Sequence, residues 1–217
     1  IIALKKYPSL NYDLISINTG SLSKNSNIKI HNLANCVMVK PISSFVEQIE
    51  KIDEIIINNK NTKLTIIGSG IAGYEISFSL FERYKDKVTI TLVGSDNIKE
   101  QNINNTSKKK LVKMAKNIGI VIKNKTVKEI DTKSILFSNG DSIYSDINFL
   151  STGSAAPQWL SESSIKTDKN GFAEVSCQLQ SINFNNIFIT GDIASIKERP
   201  RAKSGVMAVR HGEVLRE

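Results

Sequence analysis

The sequence predicts an α/β fold built on parallel sheet. Three observations lead there. Leu64-Thr65-Ile66-Ile67 is a short apolar run typical of a buried strand, and it passes straight into Gly68-Ser69-Gly70-Ile71-Ala72-Gly73 and then a helical pattern. A second apolar strand, Val88–Val93, begins about 15 residues after Gly73. Finally, Asn18-Thr19-Gly20-Ser21 and Ser151-Thr152-Gly153-Ser154 echo each other, and each follows an apolar strand, as the exit from such a domain would.

Bulk properties narrow the field. A chain of 217 residues allows one large domain or two small ones, and 40% hydrophobic residues suffice for a core. The formal charge of +8 raises nucleic acid or an anionic surface as a partner. The lysines, however, are spread along a chain rich in Asn, Ile and Lys, which reads as compositional habit, so no nucleic-acid partner is expected. The one dense run, Lys108-Lys109-Lys110, opens a predicted helix and reads as a solvated face, with a phosphate or membrane contact as the alternative. Cys36 and Cys177 form no CxxC pair and are each expected to be buried or half-buried. So few cysteines suggest a reducing, cytoplasmic compartment. No apolar run approaches a membrane span and no signal peptide is seen. The chain opens on strand-like Ile1-Ile2-Ala3-Leu4 and closes in a helical pattern at Leu215-Arg216-Glu217, as a fragment of a longer protein would.

The elements follow in order. Residues 12–18 read as a strand, with a polar loop to about Asn35. Cys36-Val37-Met38-Val39 is a short strand, and Pro41 starts a new element. Phe45, Ile49, Ile52 and Ile56 lie at helical spacing, predicting an amphipathic helix over 42–57, and Asn58-Asn59-Lys60-Asn61 is a turn. After the strand 64–67, a helix is predicted over 72–84, then the strand 88–93 and a helix over 108–117 that ends near Gly119. Strands follow at 120–122, 126–130, 134–137 and 142–144, the last two joined by the hairpin signal Asn139-Gly140. The strand 147–150 leads to Thr152-Gly153. Beyond a loop holding Trp159, strands are expected at 172–175 and 187–190, with a last helix from about Gly205.

The chemistry sits in the glycine run. A GxGxxG alone is a weak signal, but here it follows a strand and opens a helix, with another strand behind it. Gly68 allows the tight turn, Gly70 lets backbone approach a pyrophosphate, and Gly73 lets helix and strand pack closely. The helix N-terminus then offers N–H groups and partial positive charge to phosphates. This is the Rossmann-type arrangement, and it implies a dinucleotide, NAD(P)H, held by Gly68, Ser69, Gly70, Ile71, Ala72 and Gly73. The second strand ordinarily ends in an acidic residue that holds the ribose. Here it ends Val93-Gly94-Ser95-Asp96: Asp96 lies late, Ser95 is able to bond either ribose form, and no Arg is placed for a 2′-phosphate. NAD against NADP stays open, with a lean to NAD.

Adding Ile189-Thr190-Gly191-Asp192, the order of motifs resembles the pyridine nucleotide-disulfide oxidoreductase superfamily, on its type II NADH dehydrogenase-like side. Two stretches, Val39-Lys40-Pro41-Ile42 and the run from Arg199 to Gly212, resemble the flavoprotein module that some bacteria carry fused to selenide, water dikinase. The resemblance implies two Rossmann-like domains, an NAD(P)H domain (41–154) inserted into part of an FAD domain (1–40 and 155–217). It implies FAD-dependent NAD(P)H oxidation, with hydride passing to flavin and on to an acceptor such as a quinone. It also implies peripheral membrane association and a fused selenide, water dikinase domain as candidate partners. Thr152 and Gly153 join the NAD(P) site. Thr19, Gly20, Gly191, Asp192, Ser204, Gly205 and Val206 form the FAD site, Asp192 accepting from sugar hydroxyls. Glu75 matches a Glu near the nicotinamide, or else is a first-turn Glu favoured by the helix dipole. The rivals are a dinucleotide-sensing module without turnover and a sulfide:quinone reductase-like flavoprotein, which would need reactive cysteines. His31 reads as solvated, His211 as a surface or core histidine, and Trp159 as packing. No metal-ligand spacing or nucleophile motif appears.

Overall fold

The computed structural model describes residues 1–3, 6–24, 27–59, 61–95, 105–201 and 203–216. Asp96, and with it the acidic candidate for the ribose, lies outside these, as do Leu4 of the opening run, Lys60 of the predicted turn and Glu217. Strands run over Ile15–Ile17 (β1), Leu22–Ser23 (β2), Lys29–Ile30 (β3), Cys36–Met38 (β4), Thr62–Ile67 (β5), Val88–Val93 (β6), Val121–Lys123 (β7), Val127–Ile130 (β8), Ser134–Phe137 (β9), Ser142–Tyr144 (β10), Ile147–Leu150 (β11), Ser154–Ala155 (β12), Ala173–Val175 (β13), Ile187–Ile189 (β14) and Ala194–Ile196 (β15). Helices run over Ile42–Asn58 (α1), Ile71–Tyr84 (α2), Asn105–Asn117 (α3), Trp159–Glu162 (α4) and Gly205–Arg216 (α5).

The chain divides into two compact units. One joins Ile1–Leu22 to Ser154–Glu217, and the other, Ser23–Gly153, is inserted between those segments. The expected first boundary, at 40/41, lies too late. β4 pairs with β11 and β3 with β8, so residues from Ser23 onward belong to the inserted unit. The polar loop expected before Asn35 holds β2 and β3, strands too short for alternation to show them.

The inserted unit is a parallel sheet of order β4-β11-β5-β6-β7. Period-two alternation sends Leu64 and Ile66 of β5, Ile90 and Leu92 of β6, and Ile147 and Phe149 of β11 to the helical face, where they pack with Ile52, Ile56, Tyr74, Leu80 and Ala115. Ile67, Val93 and Leu150 point the other way, onto Val127, Ile130, Ile135 and Phe137 of the sheet β10-β9-β8-β3. Leu64–Ile67 is buried on both faces and so reads as a near-continuous apolar run, while 88–93, with Thr89 exposed, shows its apolar residues in part by alternation. Leu64, Ile66, Leu92 and Phe149 are fully buried, each contributing roughly 1.5–3 kcal/mol. Asn139-Gly140 makes the β9–β10 hairpin, with Gly140 at φ +88°. Arg83 and the Tyr84 hydroxyl on α2 both bond Asp53 on α1 (2.8 Å each), joining the two helices.

In the other unit β1 pairs with β14 and β13 with β15, both parallel. Leu160, Val175, Leu179, Ile187, Ile189 and Ile193 form its core. Trp159 heads the short helix α4 instead of lying in a loop, and is 37% exposed.

Candidate functional site

β5 is the middle strand of its sheet. The chain leaves it through α2 toward β6 and β7, while β11 and β4 lie on its other side. The turn after β5 therefore sits at the C-terminal edge where strand order reverses, the place where open α/β sheets bind ligands. Gly68 keeps the ladder going by donating its N–H to the Val93 carbonyl (2.7 Å), and its φ of +121° turns the chain away. A Cβ there would lie 2.0 Å from the Ser151 carbonyl oxygen, so only glycine fits between β5 and the exit of β11. Gly70 caps α2 with extended backbone, and the Tyr74 N–H is bonded to the Gly70 carbonyl (3.2 Å). A Cβ on Gly73 would lie 1.8 Å from the Gly68 oxygen. The first turn of α2 carries no acidic residue, so the positive end of its dipole keeps its field for an anion.

Around this turn the structure gathers other residues of the inserted unit. The Ser69 hydroxyl donates to the Ser95 carbonyl (3.3 Å). The Thr152 hydroxyl donates to the Lys24 carbonyl (2.8 Å), and Lys24 N–H donates to Gly153 (3.1 Å), which fastens the β11 exit. Glu75 lies in the second turn of α2, not the first, and is exposed. That removes the helix-dipole reading of Glu75.

The other unit builds a second constellation where three chain segments meet. Thr190 N–H donates to the Ile17 carbonyl (2.9 Å) and so joins the ends of β1 and β14. A helical turn over Gly191–Ile193 follows, with Gly191 at φ +70°. The buried Ser21 hydroxyl donates to Asp192 (3.2 Å). Thr19 is exposed beside it and Gly20 has φ +75°. α5 packs against this turn. Its N-cap is Ser204, whose hydroxyl accepts the Met207 N–H (3.4 Å), while Val206 is 64% exposed. From α5, the buried His211 accepts the Gly191 N–H on Nδ1 (3.0 Å). Accepting there puts the ring proton of a neutral imidazole on Nε2, which is buried with no partner among the described residues. Burial first, then the nearby Lys203 charge, holds the imidazole below its ordinary 6.5 against the pull of Asp192. Lys203 donates to the Ala194 carbonyl and stands 4.2 Å from the centre of the Phe172 ring.

Residues 3–212 match the family described as pyridine nucleotide-disulphide oxidoreductase. The chain belongs to that family. A comparison with curated proteins found no match. Among solved structures, an FAD-dependent pyridine nucleotide-disulphide oxidoreductase from Desulfovibrio vulgaris aligns with TM-score 0.75 and 19% identity, covering 95% of this chain and 53% of that one. An NAD-dependent persulfide reductase from A. fulgidus aligns at 0.79 and 19% identity, covering 96% and 39%. A water-forming NADH oxidase from Lactobacillus brevis, bound to NADH, aligns at 0.75 and 18% identity, covering 96% and 46%. The chain thus spans about half or less of the length of these structures, and at such identity the likeness speaks for the fold.

Within this pyridine nucleotide-disulphide oxidoreductase chain, the expected residues fall into two clusters. Gly68, Ser69, Gly70, Ile71, Ala72, Gly73, Ser95, Thr152 and Gly153 all lie at the C-terminal edge of the inserted sheet. Thr19, Gly20, Gly191, Asp192, Ser204, Gly205 and Val206 lie around the strand exits and α5 of the other unit. Sequence reasoning missed Ser21, whose partner is 171 positions away, and Gly94. His211 proved a core histidine with a specific acceptor role, which its helical position alone could not reveal. Cys36 is buried, which pushes its thiol up to about 11 and keeps it protonated and unreactive. Cys177 is exposed, contrary to expectation, in the turn beyond β13. His31 bonds Glu129 (3.1 Å) at the surface. Among the described residues, no helix is long and apolar enough to cross a membrane.

Proposed function

We propose that this chain binds NAD(P)H over the 68–73 turn as part of an FAD-dependent NAD(P)H oxidoreductase. The observation that carries the reading is the placement of that turn. It lies at the strand-order reversal of a parallel sheet and opens a helix whose first turn has no competing carboxylate. A pyrophosphate there meets the α2 dipole and main-chain N–H groups, without a lysine or arginine being needed. The glycine positions allow the approach, because backbone and not side chain forms the floor.

The other unit suits a flavin dinucleotide. Asp192 is acceptor-only when ionised, matching sugar hydroxyls, and Ser21 steadies it. The N-terminus of α5, capped by Ser204, offers partial positive charge to a ring that gains negative charge on reduction. Bound FAD would supply the hydride-accepting and electron-passing chemistry. The residues of this chain hold, orient and balance charge. The second acceptor is proposed to be a quinone or another small molecule. A cysteine-based sulfide route through Cys36 is closed, since its thiol is held protonated in the core, which leaves the exposed Cys177 as the one cysteine able to serve it.

The test is anaerobic. The flavin-loaded protein is mixed with NADH and, separately, NADPH, and visible absorbance is followed. Bleaching is the expected result. A flavin that stays yellow with both donors overturns the proposal.

A further inference from the structure

We infer that His211 positions the Asp192 turn for a flavin dinucleotide, so that FAD binding and protonation of this imidazole oppose each other. The inference rests on the FAD reading of this unit given above and adds a proton to what governs that site.

The turn over Gly191–Ile193 is held from two directions. The Ser21 hydroxyl fixes the Asp192 carboxylate (3.2 Å). On α5, Ala208 and His211 lie three positions apart and so share a helix face, and that face meets Gly191. A Cβ on Gly191 would lie 3.7 Å from the Ala208 Cβ, so helix and turn leave room for little more than a methyl group. With φ +70°, Gly191 turns the chain away from β14, and its N–H finds its acceptor in His211 Nδ1 (3.0 Å).

Only a neutral ring accepts that bond. With one proton on Nε2, Nδ1 keeps a lone pair for the Gly191 N–H. A second proton has to enter at Nδ1, where two donors would then face each other. The bond is lost, and with it the hold of α5 on the turn that presents Asp192. Among the described residues, two charged groups act on the ring from the elements packed around it: Asp192 from the turn and Lys203 from the segment before α5. Arg210 and Glu213, its neighbours on α5, are exposed. Burial and Lys203 oppose the second proton and Asp192 favours it, which keeps the ring neutral at neutral pH. Once formed, the imidazolium draws on Asp192, the carboxylate proposed to accept sugar hydroxyls.

FAD thus binds the form with the neutral ring. Its affinity is complete above the pH at which the ring titrates and falls as pH drops through that value, by at most about tenfold per pH unit. By the same linkage, bound FAD makes the ring harder to protonate.

The experiment is an NMR titration of the imidazole nitrogens, with and without FAD. The chain holds two histidines, and His31→Gln, at the surface, identifies the signal of His211 by difference. The ring is expected as the Nε2–H tautomer, titrating at lower pH when FAD is present. The FAD dissociation constant, read from flavin fluorescence, is expected to rise at least about threefold as the wild-type ring takes its proton. His211→Asn sets an acceptor oxygen near the place of Nδ1 and does not titrate. It is expected to bind FAD at neutral pH within about threefold of wild type and to lack that acid loss. A ring that titrates at the same or a higher pH with FAD, or that carries its proton on Nδ1, overturns the inference and leaves the FAD reading standing. So does an Asn variant that loses FAD in acid as the wild type does. Failure of the wild-type protein to bind FAD at neutral pH overturns both.

Discussion

Two glycines inside helices should respond to the same substitution with opposite sign. Gly73 lies in the first turn of α2 and Gly212 in α5. Glycine in a helix interior costs about 0.5–1 kcal/mol relative to alanine, so propensity alone makes both changes stabilising. At Gly212 an added Cβ meets no atom within 4 Å, so the full gain of about 0.5–1 kcal/mol should appear. At Gly73 the Cβ would stand 1.8 Å from the Gly68 carbonyl oxygen and 3.3 Å from a Leu92 methyl. The first contact is with backbone, so α2 must move off β5. Overpacking of this kind costs about 1–3 kcal/mol or more and outweighs the propensity gain. In a chain of this size 1 kcal/mol moves the melting temperature by about 2–4 °C. Gly212→Ala should therefore raise the transition of its unit by about 1–4 °C and Gly73→Ala should lower that of the inserted unit by at least about 2 °C. Differential scanning calorimetry of the two variants reads both. Stabilisation by Gly73→Ala would refute the packing assigned to the fingerprint, and with it the geometry proposed to hold the pyrophosphate.

Further outcomes follow from the unit that holds α5 and from the cysteines. His211→Leu strips the Gly191 N–H of its acceptor and should cost about 1–3 kcal/mol, with Asn, which keeps an acceptor oxygen, recovering part of it in urea unfolding. Because the folded imidazole titrates below 6.5, its contribution is complete above that pH and declines as pH falls through 6.5 toward the folded value; unfolding curves of the Asn variant should lack that component. Ser204→Ala removes the α5 cap and should lower stability by roughly 1 kcal/mol, seen as a lower urea midpoint with an unchanged slope. Iodoacetamide with mass spectrometry should find Cys177 alkylated quickly in the native protein and Cys36 only on unfolding; equal rates would contradict the burial of Cys36.

Much of the inserted unit was legible because its strands are buried on both faces and its helices on one. The apolar runs 64–67 and 88–93, and the spacing of Phe45, Ile49, Ile52 and Ile56, are direct traces of that burial. The glycine fingerprint was legible for a related reason: close backbone approach excludes every other residue at Gly68 and Gly73. The boundary between Leu22 and Ser23 was not, because β3 and β4 are assigned to their unit by pairing with β8 and β11, about a hundred residues away. Local sequence holds no trace of such pairing.

What the sequence by itself determined, then, is the order of strands, helices and glycine turns, through periodicity and steric demand. Only the tertiary structure decided what converges on those turns. Ser21 reaches Asp192, His211 reaches Gly191, and Ser69 closes the space beside Gly94. Each is a contact between segments distant in sequence, set by how the chain packs.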